Sequence, residues 1–299
     1  MEQLRVEGGV MEKEYQISRR SALKTAAVGV TGALAISHEL QATSSDKPKG
    51  NLNQSVCKWC YKDMALDELA RESARIGIKS VELLTPEEWP VVKKYGLTCA
   101  MGLGADQIHI GFNRKENHDS RVENLTKHIE LAADAGIPNV ICFSGNRNGM
   151  SDEEGLETCV IGLKRIVGLA EKKGINVCME LLNSKVNHKD YMCDHTEWGV
   201  KLVKKVGSPR FKLLYDIYHM QIMEGDVIRT INDNFEYIAH FHTGGVPGRN
   251  EIDETQELNY TTICKAIIEK GFRGYLAQEF IPKRDPMTSL AQAFRICDV

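Results

Sequence analysis

Lys172-Lys173-Gly174-Ile175-Asn176-Val177-Cys178-Met179-Glu180 holds four structural signals in nine residues. Two lysines suit the last turn of a helix, where cations complement the macrodipole. The glycine stands where a helix turns off through left-handed backbone. A short apolar run follows, of the kind found in strands buried on both faces. It closes on a carboxylate. The same punctuation, amphipathic helix then glycine then apolar run, recurs at Gly77, Gly96, Gly136, Gly207 and Gly271. The runs so introduced are residues 80–83, 98–101, 140–143, 177–179, 211–215 and 275–277. Further strands are expected at residues 56–61 and 238–241, which makes eight. Strands that alternate with helices imply a parallel sheet covered on both faces. Eight such units in about 250 residues predict an α/β fold, a single (β/α)8 barrel of the TIM type over residues 52–299. An open doubly wound sheet is the competing arrangement, but no Gly-x-Gly-x-x-Gly follows the first strand.

The first fifty residues read differently. Ser18-Arg19-Arg20-Ser21-Ala22-Leu23-Lys24 precedes a weakly apolar run over residues 26–36, interrupted by Gly29, Thr31 and Gly32. That run is too short to span a bilayer. A basic region, a short apolar run and Ala33-Leu34-Ala35 predict an export signal over residues 1–37, with a polar linker over 38–51. The paired arginines resemble twin-arginine signals, which carry folded cargo, although Ala22 stands where a bulkier apolar residue is usual. The expected location is the periplasm, or the cytoplasm if the signal does not function. Met11 is an alternative start.

The 299 residues include 38 Lys or Arg and 41 Asp or Glu, a net charge of −3. That balance gives no electrostatic footing for nucleic acid or an anionic membrane surface. An apolar share of 42% fits one full globular core and excludes a disordered or multispanning chain. The expected partner is a small molecule, with no nucleic acid and no integral membrane insertion; a homo-oligomer is compatible with the composition. Nine cysteines, an odd number, are spread through the barrel. On a strand, Cys57 and Cys60 would point to opposite faces. Single buried thiols are therefore expected, rather than a zinc site or a disulfide framework.

In a (β/α)8 barrel, chemistry sits at the C-terminal ends of the strands. Four successive strands end in a reactive group: Glu180, Asp216, His242 and Glu279, one βα unit apart. Equal placement in successive units puts all four on one rim. Three carboxylates and one imidazole form a hard site that favours one divalent metal ion, Mg²⁺ or Mn²⁺, with Zn²⁺, Co²⁺ or Fe²⁺ as alternatives. A cation between the carboxylates offsets their repulsion. His219, three residues past Asp216, and Arg249, in the loop after His242, are donors suited to substrate oxygens. Trp59, near the rim, suits either sugar stacking or the core.

The tracts Met179-Glu180-Leu181-Leu182-Asn183, Tyr215-Asp216-Ile217-Tyr218-His219-Met220-Gln221, Pro247-Gly248-Arg249-Asn250-Glu251 and Gly274-Tyr275-Leu276-Ala277-Gln278-Glu279-Phe280 resemble hydroxypyruvate isomerases, within the xylose isomerase-like barrels. Cys142-Phe143-Ser144-Gly145-Asn146-Arg147 resembles them too, and the likeness covers about residues 52–298. The resemblance implies a divalent metal held by Glu180, Asp216, His242 and Glu279. It implies Glu180 and Glu279 as the catalytic acid/base pair, and His219 and Arg249 as substrate-binding. Two positions depart from the pattern. Hydroxypyruvate isomerases often carry Gln where this chain has His242, which is more like the ketose 3-epimerases. Those epimerases carry a further Glu where this chain has Val186.

These residue types suit proton transfer next to a carbonyl. A divalent ion stabilises the charge of an enediolate as it forms. One Glu removes the proton, and the same or the other Glu returns it. Return to the neighbouring carbon isomerises; return to the same carbon from the opposite face epimerises. The expected function is therefore a metal-dependent isomerase acting on hydroxypyruvate or a small sugar. The alternatives are a sugar epimerase, or an exported carbohydrate-binding barrel without turnover.

Overall fold

The computed structural model describes residues 47–104 and 107–299. The expected export signal, and most of the expected linker, lie outside the described residues. Among the described residues, seven strands form one curled sheet: β1 (Asn53–Cys57), β2 (Ser80–Glu82), β3 (Asn139–Cys142), β4 (Asn176–Glu180), β5 (Phe211–Asp216), β6 (Ile238–Thr243) and β7 (Tyr275–Gln278). Their spatial order is β2-β1-β7-β6-β5-β4-β3, and every pairing is parallel. All six punctuating glycines have positive φ, from 71° at Gly96 and Gly136 to 110° at Gly77. The reading of helix ends from glycine therefore holds along the chain.

The eighth expected strand, residues 98–101, is not a regular one. The segment lies between β2 and β3 and closes the barrel through isolated parallel bridges, Ser80 to Thr98, Leu84 to Gly102 and Gly102 to Val140. Side chains replace the ladder in its middle. The Ala100 N–H donates to Ser80 Oγ (2.7 Å), and its carbonyl accepts from Asn139 Nδ2 (2.7 Å). These bonds satisfy the buried backbone without strand pairing.

Two boundaries also move. The first strand ends at Cys57, and Lys58–Tyr61 turns over the rim as a 3₁₀ helix. Cys57 and Cys60 are thus not on opposite faces of one strand. All nine cysteines are free and buried. The strand expected at 238–241 extends to Thr243, so His242 lies inside it rather than past its end.

Alternation along β6 sends His240 and His242 into the barrel and Phe241 out among the helices. Phe241 packs there edge-on against Tyr215 and Phe272, at ring separations of 6.1 and 4.9 Å. The pairing of β5 with β6 shifts between Leu213 and Leu214, so that Asp216 lies opposite His242. Without that extra residue, Asp216 would face Phe241 and point away from the barrel axis.

Candidate active site

Glu180 closes β4, Asp216 closes β5, His242 lies in β6 and Glu279 follows β7. The register pairs Asp216 with His242 and Thr243 with Gln278, the neighbour of Glu279. All four predicted side chains are buried, and one ligand atom from each lies within 4.8 Å of the others. His242 Nδ1 is 2.7 Å from Glu279 Oε2 and 3.4 Å from Glu180 Oε1. Neither contact of this nitrogen has hydrogen-bond geometry. Its counterpart, Nε2, lies 2.9 Å from Glu82 Oε1. An unpartnered imidazole nitrogen facing three carboxylates fits a hard divalent cation. The residues present therefore suit the metal their chemistry implies.

Electrostatics reinforce this. Burial raises Glu180, with Glu279 adding to the shift and His242 opposing it. Burial also pushes Asp216 up to about 8, with Arg249 opposing and Glu279 adding. For Glu279 burial is outweighed: Arg249 and His242 hold its carboxyl well below the usual range.

His219 stands at the start of the helix Ile217–Met223, which Asp216 caps by accepting from the His219 N–H at 3.1 Å. Its Nδ1 accepts the backbone N–H of Asn183 at 3.1 Å. The ring proton consequently sits on Nε2, which has no partner and lies 3.5 Å from Asp216 Oδ2. Burial keeps this ring neutral, holding its pKa well below the ordinary value. A neutral N–H donor thus faces the same volume as the carboxylates.

Arg249 reaches into the cluster itself. Its Nη2 is 3.1 Å from Asp216 Oδ2 and 2.5 Å from Glu279 Oε2. The guanidinium lies over the rings of both Trp59 (5.0 Å) and Tyr218 (5.2 Å). Such stacking holds the planar cation in one orientation. Trp59 also donates Nε1–H to Glu279 Oε1 at 2.7 Å, while its ring remains 42% exposed. A cavity of about 340 Å³ lies beside it, lined by Trp59, Tyr61, Met64, Ile281 and Pro282.

Sequence reasoning missed Glu82 and His240. Glu82 closes β2 by the same strand-end rule that found the other four, and His240-x-His242 is a visible spacing. Glu82 Oε1 lies 2.8 Å from His240 Nε2 and 2.9 Å from His242 Nε2. Burial opposes its charge, but His240 and then His242 hold Glu82 down at about 2.

Residues 70–297 match the sequence profile of the xylose isomerase-like TIM barrel family. The chain is 24% identical over 238 residues to a putative hydroxypyruvate isomerase of Homo sapiens, covering 78% of this chain and 80% of that one. It is 24% identical over 249 residues to the 2-oxo-tetronate isomerase of Pectobacterium atrosepticum, covering 79% and 93%. Among solved structures, a family 2 AP endonuclease from Brucella melitensis superposes with a TM-score of 0.71 at 23% identity, covering 81% and 98%. At that identity the likeness speaks to the fold alone.

Proposed function

The chain belongs to the xylose isomerase-like TIM barrel family, and from that premise we propose a metal-dependent isomerase that moves a proton next to the carbonyl of hydroxypyruvate or a small keto-sugar. The observation that carries this reading is the convergence of Glu180 and Glu279 on His242 Nδ1, with Asp216 completing the set within 4.8 Å. Relatives named as hydroxypyruvate and 2-oxo-tetronate isomerases support the enzyme class.

Glu180, Asp216, His242 and Glu279 would hold the ion, Mg²⁺ or Mn²⁺ from the donor set. When bound, the ion supplies charge stabilisation to an enediolate. The chain's own residues supply the rest. One glutamate takes the proton from the carbon beside the carbonyl, and the electron pair moves onto the carbonyl oxygen. The same or the other glutamate returns a proton to the former carbonyl carbon, while the hydroxyl on the carbon first deprotonated passes its proton to the former carbonyl oxygen and becomes the new carbonyl. His219 Nε2–H and the Arg249 guanidinium hold substrate oxygens as charge shifts between them.

His242 favours the epimerase reading as the second one, with the proton returned to the same carbon. Residues 1–37 we propose as an export signal, on the strength of Arg19-Arg20 and the short apolar run that follows.

Incubation in D₂O with Mn²⁺ and a panel of hydroxypyruvate, ketoses and aldoses tests the reading. Deuterium is expected at a carbon beside the carbonyl, and its position separates isomerisation from epimerisation. Glu180→Gln and Glu279→Gln should each slow exchange by roughly 10²–10⁴-fold. No exchange with any substrate, with or without chelator, would leave the non-catalytic binding barrel as the better account.

A further inference from the structure

Glu82, His240 and His242 form a fully buried group below the rim, and none of the roles assigned above uses Glu82 or His240. One oxygen, Glu82 Oε1, serves both rings at 2.8 and 2.9 Å. The rings stand nearly perpendicular, at 82° with centroids 5.2 Å apart. An ionised carboxylate only accepts hydrogen bonds, so each Nε2 must present its proton to it. For His242 this leaves Nδ1 as the nitrogen free to bind an ion, and Nδ1 is the atom that faces Glu180 and Glu279. A flipped His242 ring would aim a carbon at Glu82 and leave a buried carboxylate oxygen short of a donor.

The three side chains could also be taken as a metal site of their own. Their bonding argues otherwise. Both Nε2 atoms are hydrogen-bonded to Glu82 Oε1, whereas neither contact of His242 Nδ1 with the rim carboxylates has hydrogen-bond geometry. The observed 2.8 and 2.9 Å are the lengths of N–H···O bonds.

We propose that Glu82 is a positioning residue, which fixes the proton of His242 on Nε2 and aims Nδ1 at the divalent cation, with His240 holding Glu82 in place. The proposal rests on the metal reading above. Carboxylate partners of ligating histidines act in this way generally, orienting the ring and strengthening the ligand, and their loss weakens metal binding by about 10–100-fold.

The test uses the full chain, stripped with chelator and titrated with Mn²⁺ alone, with free ion read by electron paramagnetic resonance. Glu82→Gln keeps an acceptor oxygen and loses the charge; Glu82→Leu loses both. One equivalent is expected in the unaltered protein, with affinity about 10-fold weaker for Glu82→Gln and about 100-fold weaker for Glu82→Leu. A second readout follows geometry: in the Co²⁺-loaded protein, the shifted exchangeable ring N–H of His242 should stay sharp with Gln and broaden with Leu. If Glu82→Leu fails to fold, Glu82→Gln still decides through its affinity. Affinities within about twofold of the unaltered protein and an unchanged N–H signal overturn the positioning role. A second bound equivalent that Glu82→Gln abolishes overturns it too, making Glu82 a ligand. No Mn²⁺ uptake by the unaltered protein instead overturns the metal reading, a result distinct from the other two.

Discussion

At the scale of single residues, most of the candidate site could be read from strand ends. Glu180, Asp216 and Glu279 each stand at or just past the end of a strand, where barrel side chains converge. What the sequence did not reveal is who touches whom. Trp59 is an example: its type and place near the rim suggested stacking, but its Nε1–H bonds Glu279 and its ring covers Arg249. Trp59→Phe keeps an aromatic ring, smaller than the indole, and removes that donor. A hydrogen bond to a charged group is worth about 1.5–3 kcal/mol. We therefore expect the melting temperature to fall by roughly 3–12 °C, and kcat/KM to fall by roughly 10-fold or more because Glu279 loses a donor that orients it. Steady-state kinetics beside a thermal melt checks both halves. Glu82 escaped notice because its strand has only three residues, and the apolar run continues past it into Leu83.

At the scale of elements, loops after successive strands are tied to each other, and the ties hold the rim. Arg147, after β3, pairs with Asp194, in the loop after β4, with Nη2 to Oδ1 at 3.0 Å. Arg147 Nε also binds Asp152 at 2.7 Å, at the start of the helix Asp152–Leu163. Burial opposes charge on Asp194, but hydrogen bonds from Arg147, Ser184 and His195 outweigh it and lower its pKa. Because the folded value lies below the unfolded one, this stabilisation is complete above about pH 4 and drains away as pH falls through the folded value. Asp194→Asn should cost about 1.5–3 kcal/mol near neutral pH. It should also flatten the loss of stability below pH 4, as urea unfolding at several pH values would show; parallel curves for the two proteins would refute it. The Arg147 tract was legible as part of a family likeness, but its partner 47 residues on was not, since pairing across two loops leaves no local signal.

At the scale of the whole molecule, three buried carboxylates on one rim are a concentrated charge that a cation relieves. Ion binding should stabilise the folded barrel. At 100 times its dissociation constant, a ligand specific to the folded state adds about 2.7 kcal/mol. For a domain of this size that is roughly 5–10 °C in melting temperature. Calorimetry with Mn²⁺, then with excess chelator, should show the rise and its reversal; an unchanged melt would count against the site. Among the described residues, no helix is long and apolar enough to cross a membrane.

The sequence by itself determined the repeat. Helix ends, glycines and apolar runs are local patterns fixed by backbone conformation and burial, so the alternation of strands and helices could be counted before any coordinates. It also placed four reactive side chains at equivalent points of successive units. Only the tertiary structure decided how the barrel closes and where its side chains aim. Residues 98–101 close it without a regular strand because Ser80 and Asn139 bond the backbone of Ala100. One extra residue in the pairing of β5 and β6 turns Asp216 toward His242. Glu82 meets His242 across 160 residues of chain. Register, closure and long-range hydrogen bonds depend on what packs opposite, and that is not written in any single stretch of the chain.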